Sequence, residues 1–324
     1  MARVARIERH GGPEVIQWVD VDLPDPGEGE VRIRSTAVGL NFIEIYQRTG
    51  LYPLPLPSGL GSESVGVIEA LGPGVTGFAV GDRVGTFGPA IGSYATHRKL
   101  PAASLVKLPD DVDDQTAAAI LLKGGTTEFL IERCAKVQAG QTVLIHAAAG
   151  GVGHLAVGWL KAIGASVIGT VGSSDKAERA RRAGADHVIE YKNEDIAARV
   201  REITGGAGVD VSLDGVGAAS WEASLKSVRP RGMIVSYGNA SGPVTGVNLG
   251  VLAQNGSLFV TRPTMFHYYA TPEERAAGFA RVFDMLAKGA IKPEIGQTFA
   301  LEDAAEAHRQ LEAGKTEGAS VLLP

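Results

Sequence analysis

The chain has 324 residues, with 31 Lys and Arg against 36 Asp and Glu for a formal net charge of −5. That balance argues against nucleic acid as a partner and against a general membrane-surface binder. The single cysteine, Cys134, excludes an internal disulfide and a cysteine-rich metal site. The N-terminus enters a charged, strand-like segment without an apolar signal core, and no run approaches the ~18 apolar residues of a membrane span, so a cytoplasmic location is expected.

Residues 1–120 read as mostly β. Val31, Ile33 and Ser35 alternate with Arg32, Arg34 and Thr36, the period of a half-buried strand. Short apolar runs follow at Val65–Ile68 and Asp82–Gly85, separated by Gly and Pro. Three prolines between Leu51 and Pro57 exclude helix interior and central strand, which leaves a stiff loop.

From residue 121 the pattern becomes alternating strand and helix. Apolar runs at Thr142–His146, Val167–Ile168, His187–Ile189, Val209–Leu213, Met233–Ser236 and Leu258–Val260 predict strands, with helical segments between the first four. This order predicts right-handed crossovers and a parallel sheet covered on both faces. Near the C-terminus a helix is predicted from Pro272, with Thr271 as its N-cap, Phe279, Val282, Phe283 and Leu286 as its apolar stripe, and Gly289 as its stop. A short helix over 302–313 and a strand over 320–323 complete the chain.

The motif that carries chemistry is His146-Ala-Ala-Ala-Gly-Gly-Val-Gly153, between a strand and a helix. It is a dinucleotide fingerprint with Ala148 in first position. Gly150 lets the backbone approach a pyrophosphate, Gly153 lets the helix pack on the strand, and the helix start at Gly151 and Val152 offers unpaired N–H groups. An NAD-selective site carries an acidic residue at the end of the second strand, but Gly169–Ser174 holds none before Asp175. Asp175 and Glu178 have capping-box spacing, which assigns Asp175 to a helix cap. Gly172, Ser173 and Lys176 instead offer hydroxyl, backbone and cationic donors, and Tyr191 adds a phenol. These suit a 2′-phosphate, so NADPH is predicted over NADH. His146 reads as a satisfied core or turn histidine and Cys134 as buried and inert.

With these features, the segments Gly39–Phe42, Leu51–Pro53, Pro57–Glu63, Leu122–Thr126, Ile203–Gly206, Val235–Asn239 and Val260–Pro263 resemble the medium-chain dehydrogenase/reductase superfamily, and within it the zeta-crystallin-like quinone oxidoreductases. The resemblance covers nearly the whole chain. It implies an α/β fold: a doubly wound parallel (Rossmann) sheet domain over 121–264, binding NADPH, plus a GroES-like β-rich domain over 1–120 and 265–324. It also implies a cleft where the domains meet, and a homodimer. By the same resemblance Asn41 and Thr126 orient the nicotinamide and its ribose, while Val216, Tyr237, Gly238, Asn239, Arg262 and Thr264 contact the cofactor. Tyr46 and Tyr52 line the nicotinamide end, where they either donate to a quinone oxygen or form an apolar wall. Gly158 departs from relatives that often carry Gln there.

Alcohol-oxidising members of the superfamily hold zinc. Where they place Cys and His, this sequence has Ile43 and Ser62, and its seven histidines are scattered, so no metal is assigned. A ketone that accepts hydride builds alkoxide charge, which a Lewis acid stabilises. A quinone becomes an aromatic hydroquinone whose charge is delocalised, so positioning and hydrogen bonding suffice. The resemblance therefore implies an NADPH-dependent, zinc-independent quinone reductase acting on a small-molecule quinone. The alternatives are an NADPH-dependent reductase of activated C=C bonds, in enones or enoyl thioesters, and a non-catalytic NADPH- or RNA-binding role of the crystallin kind.

Overall fold

The computed structural model describes residues 1–88 and 90–324. Two compact units emerge: Met1–Lys123 with Ala270–Phe279 and Pro293–Pro324, and Gly124–Tyr269 with Ala280–Lys292. In chain order the first unit opens with β1 (Ala2–Ile7), β2 (Gln17–Val21), β3 (Glu30–Leu40), α1 (Phe42–Thr49), β4 (Ser58–Gly59), β5 (Glu63–Leu71), β6 (Arg83–Phe87), β7 (His97–Pro101) and β8 (Leu105–Lys107). Helix α2 (Asp114–Glu128) follows. The second unit alternates β9 (Thr142–Ile145), α3 (Gly151–Ala162), β10 (Ser166–Val171), α4 (Ser174–Arg182), β11 (His187–Glu190), α5 (Ile196–Ile203), β12 (Val209–Asp214), α6 (Trp221–Ser227), β13 (Val228–Ser236), α7 (Gly250–Gln254) and β14 (Phe259–Thr261). The chain closes through α8 (Met265–Tyr268), α9 (Pro272–Ala287), β15 (Ile295–Ala300), α10 (Ala304–Glu312) and β16 (Ala319–Leu323).

In the first unit β3 organises the sheet, whose order is β15-β16-β3-β5-β6-β8. Its first half alternates as the sequence pattern requires, with Val31 and Ile33 buried against Ile68, Val84 and Leu100. From Ala37 to Leu40 every residue is buried, because the C-terminal strand β16 pairs antiparallel along that stretch, Ser320 opposite Leu40 and Leu322 opposite Val38. The C-terminal strand β16 and the early strand β3 thus share one sheet, while β1 pairs with β2 and β4 in another.

A buried polar cluster ties α1 to α10. Arg48, 1% exposed, donates to the Gly11 carbonyl at 3.1 Å, to His308 Nδ1 at 3.1 Å and to Glu312 at 2.6 Å. A guanidinium only donates, so His308 Nδ1 accepts and its Nε2–H faces the Tyr94 hydroxyl at 3.0 Å. Burial, and then the Arg48 charge, press the His308 pKa from 6.5 down to about 3. The unfolded chain therefore takes up this proton below pH 6.5 while the folded chain refuses it, so the contribution to stability is complete above 6.5 and lost on acidification. By linkage His308 contributes about 2 kcal/mol less at pH 5 than at pH 7. In urea unfolding, the stability difference between wild type and His308→Gln should shift by that amount between the two pH values. A difference independent of pH would show that His308 is not held neutral.

The second unit is a six-stranded parallel sheet in the order β11-β10-β9-β12-β13-β14. Its core joins Leu144, Ile168, Ile189, Val209 and Ile234 to Val200 and Leu225 of the covering helices. The Gly158 departure has a steric reason: a Cβ there would lie 2.4 Å from the Ala290 carbonyl oxygen, so α3 sits against that backbone where only glycine fits.

Three smaller expectations need correction. Ser173, not Asp175, stands at the N-cap of α4; Asp175 is the second helical residue, and its charge complements the helix dipole. On α9, Thr271 is the N-cap as predicted and the Glu274 carboxylate accepts its N–H in return; the buried apolar side chains are Phe279, Val282 and Met285, while Phe283 and Leu286 are half-buried. A 3.6-residue period allows either continuation after Val282, and the packing selects Met285. Cys134 is also half-buried rather than enclosed, though burial still raises its thiol pKa.

Candidate functional site

In the second unit β10 flanks β9 on one side and β12 on the other, so the strand order reverses at β9. Open parallel sheets bind ligands beyond the carboxyl ends of their strands at such a point. There the chain turns through His146–Gly150 into α3. Ala147 adopts φ 54°, the left-handed region that alanine seldom enters, and its carbonyl accepts the Gly150 N–H at 2.9 Å. Gly150 is the N-cap, and Gly151, Val152 and Gly153 form the first turn, whose N–H groups have no carbonyl partner within the helix. A Cβ on Gly153 would lie 2.3 Å from the Ala147 oxygen and 2.9 Å from Ala148 Cα. Only glycine permits that approach. The open N–H groups and the helix dipole together fit a pyrophosphate.

The next strand, β10, delivers Gly172 and Ser173. A Cβ on Gly172 would lie 2.6 Å from the Tyr191 hydroxyl, so the phenol overhangs this backbone, and Tyr191 is 49% exposed. Lys176 follows in the first turn of α4. The nearby Glu190 carboxylate accepts the Ser174 hydroxyl at 3.3 Å. A phenol, a serine, a lysine and a glycine backbone without a ribose-binding acid at the strand end fit a 2′-phosphate better than a bare 2′-hydroxyl.

The strand beyond the reversal, β12, ends in Asp214, which sequence reasoning missed. This buried carboxylate accepts the N–H groups of Val216 at 2.9 Å and Gly217 at 3.0 Å, with the hydroxyls of Ser220 at 2.7 Å and Ser224 at 2.8 Å. Since Ser224 donates to Asp214, its oxygen receives the Nε2–H of His146 at 3.0 Å, leaving Nδ1 to accept from Thr170 at 3.2 Å. His146 is thus a satisfied core histidine, and burial lowers its pKa. The Tyr237 N–H bonds to the Asp214 carbonyl at 2.8 Å, and a Cβ on Gly238 would lie 2.3 Å from the Gly215 oxygen. Val216 and the Tyr237–Asn239 segment are therefore stitched side by side. Arg262 donates to the Ser236 carbonyl at 2.9 Å, Thr264 stands at the N-cap of α8, and the Thr126 hydroxyl lies 3.7 Å from the Met265 sulfur.

In the first unit, Asn41 precedes α1, and the Glu44 carboxylate accepts its backbone N–H at 2.6 Å. The other Glu44 oxygen takes the Ser62 N–H at 3.0 Å. Burial, reinforced by Glu63, raises the Glu44 pKa to about 7. The Asn41 carboxamide donates to Glu63 at 2.8 Å and accepts from Lys123 Nζ at 2.7 Å. Tyr46 and Tyr52 meet edge to face, with centroids 5.1 Å apart, and the Tyr52 N–H bonds to the Tyr46 carbonyl at 2.9 Å. Asn41, Tyr46 and Tyr52 thus belong to one helix entrance and its exit loop.

Residues 27–110 match the family model described as the alcohol dehydrogenase GroES-like domain, and residues 151–284 match that of the zinc-binding dehydrogenases. A quinone oxidoreductase of Pseudomonas aeruginosa is 50% identical over 325 residues, covering 100% of both chains. The chain belongs to the quinone oxidoreductases of the medium-chain dehydrogenase/reductase superfamily. The crystal structure of the Escherichia coli quinone oxidoreductase complexed with NADPH superposes with a TM-score of 0.97 at 45% identity, covering 100% of each chain. A 2-haloacrylate reductase of a Burkholderia species is also 45% identical, over 100% of this chain and 99% of its own. Among the described residues, no group of three or more His, Cys, Asp or Glu side chains is placed to hold a metal ion.

Proposed function

We propose that this chain is an NADPH-dependent, metal-independent reductase of small-molecule quinones. The observation that carries the cofactor half is the glycine-lined turn from β9 into α3, with Tyr191 overhanging Gly172. The substrate half rests on the full-length likeness to quinone oxidoreductases. On this reading Gly150, Gly151, Val152 and Gly153 hold the pyrophosphate, and Gly172, Ser173, Lys176 and Tyr191 hold the 2′-phosphate. Val216, Tyr237, Gly238, Asn239, Arg262 and Thr264 flank the nucleotide, with Thr126 and Asn41 toward its nicotinamide. When bound, NADPH supplies the hydride. The protein positions the acceptor and offers hydrogen bonds to its oxygens, roles we assign to Asn41, Tyr46 and Tyr52.

The 2′-phosphate assignment is tested by Lys176→Ala. Losing one charge-assisted hydrogen bond of about 1.5–3 kcal/mol should weaken NADPH binding roughly 10- to 100-fold. Calorimetry should show NADH affinity unchanged. Equal weakening of both nucleotides would show that Lys176 does not read the phosphate.

The likeness to a 2-haloacrylate reductase favours a second reading, reduction of an activated C=C bond on the same scaffold. On that reading a 2-haloacrylate, rather than a naphthoquinone, would be the faster oxidant of NADPH.

We place the protein in the cytoplasm, a reducing compartment that suits its lone thiol. Among the described residues no helix is long and apolar enough to cross a membrane. A homodimer is part of the same proposal. Strand β14 forms one edge of the parallel sheet, and its Phe259 is 60% exposed, an unprotected apolar edge that a second copy would cover. Sedimentation equilibrium should give twice the 33.7 kDa chain mass, and Phe259→Glu should give the single-chain value. A monomeric wild type would refute the dimer.

A further inference from the structure

Asn41 carries a side chain whose two ends are interchangeable in shape but opposite in hydrogen bonding. Its surroundings decide between the two orientations. The Lys123 ammonium, a donor only, lies 2.7 Å from Oδ1, and the Glu63 carboxylate, an acceptor only, lies 2.8 Å from Nδ2. Turning the amide over would set NH2 against an ammonium and a carbonyl against a carboxylate. Lys123 and Glu63 are themselves an ion pair at 3.4 Å, and both are almost fully buried. Lys123 also donates to the Leu40 carbonyl at 3.2 Å, and the second Glu63 oxygen accepts the Leu122 N–H at 2.6 Å. Such a buried pair holds its geometry, since moving either partner leaves the other charge uncompensated.

We infer that Lys123 and Glu63 are positioning residues that lock the Asn41 carboxamide in one orientation, so that Asn41 works only as a hydrogen-bond donor, through its second Nδ2 hydrogen. The complementary ligand atom is an oxygen acceptor, such as a carbonyl of the quinone or of the nicotinamide amide. The inference rests on the assignment of Asn41 to the site and sharpens it: an amide oxygen has two lone pairs, and here one faces the Lys123 ammonium and the other the Glu44 backbone N–H in the capping box of α1, so none is left for a ligand donor.

A double-mutant cycle on the full chain tests this, using Asn41→Ala, Lys123→Met and their combination. Each is assayed for kcat and KM with NADPH and 1,4-naphthoquinone and for its thermal midpoint. If Lys123 acts through Asn41, each single variant loses kcat, by up to about 100-fold as for a misplaced group. The combination is then no slower than Asn41→Ala alone. Losses that multiply, or a Lys123→Met variant with wild-type kcat, overturn the positioning role while leaving Asn41 in the site. A wild-type kcat in Asn41→Ala overturns the assignment and the inference together. Should Lys123→Met not fold, the charge-free pair Lys123→Met/Glu63→Gln takes its place in the cycle.

A second readout needs no turnover. In nucleotide-free protein labelled with 15N-asparagine, the resonance pair lost in Asn41→Ala identifies the Asn41 amide. Its protons should exchange with solvent at least tenfold faster in the Lys123 variant. Unchanged exchange in a folded variant would show that Lys123 does not hold the amide.

Discussion

Gly153→Ala should lower kcat/KM for NADPH by about 100-fold, because the added methyl group forces the start of α3 away from the turn that cradles the phosphates. Its Cβ would lie 2.3 Å from the Ala147 oxygen and 2.9 Å from Ala148 Cα, both backbone atoms that no side-chain rotation can clear. The turn has little slack, since Ala147 is already in the left-handed region and its carbonyl is engaged by Gly150. Helix propensity pulls the other way, favouring alanine over glycine by about 1 kcal/mol inside a helix. The steric term wins, because closing a gap that short displaces the N-terminal N–H groups from their target. Steady-state kinetics with NADPH as the varied substrate checks it: a kcat/KM within a few-fold of wild type would show that close packing at Gly153 is not what the turn requires.

Gly39→Ala should be among the most destabilising single-methyl changes in the first unit. The new Cβ would lie 1.9 Å from a Glu63 oxygen and 2.6 Å from the Ala118 carbonyl, so either β3 leaves its register or the buried carboxylate leaves its place. The second outcome separates Glu63 from Asn41, Leu122 and Lys123 at once. Breaking a buried charge pair costs about 3–5 kcal/mol. For a unit of this size that corresponds to a fall in thermal midpoint of roughly 10 °C. Calorimetry checks it. A shift of no more than a degree or two would mean that Glu63 can move freely, which would also weaken the positioning role proposed for it.

What the sequence made legible is what local pattern encodes. The strands at 142–146 and 209–213 and the turn between β9 and α3 are each written within a dozen residues, as periodicity or as glycine spacing. The family resemblance returned the chain end to the first domain but named no strand, and its pairing with β3 came only from the structure, because no local feature of Ser320–Leu323 says which strand it joins. The Asn41 cluster was legible in part. Asn41 stood out through its motif, but Lys123 lies among Ile120, Leu121 and Leu122 as any helical lysine might, and its partners are 60 and 82 residues away. Asp214 was hidden for the same reason: a carboxylate ending an apolar strand looks like the start of a loop until Ser220, Ser224 and His146 gather around it. Long-range polar satisfaction leaves no short-range signature, and this site is built largely from it.

The central claim, that NADPH held by the glycine turn reduces a quinone, meets its most direct test in one comparison. Oxidation of NADPH by the chelator-treated protein is followed with 1,4-naphthoquinone and with 2-chloroacrylate as competing acceptors. The account predicts quinone-dependent oxidation with the higher kcat/KM, and a marked drop when NADH replaces NADPH. Rapid turnover of 2-chloroacrylate with the quinone inert, or equal use of NADH, would contradict it.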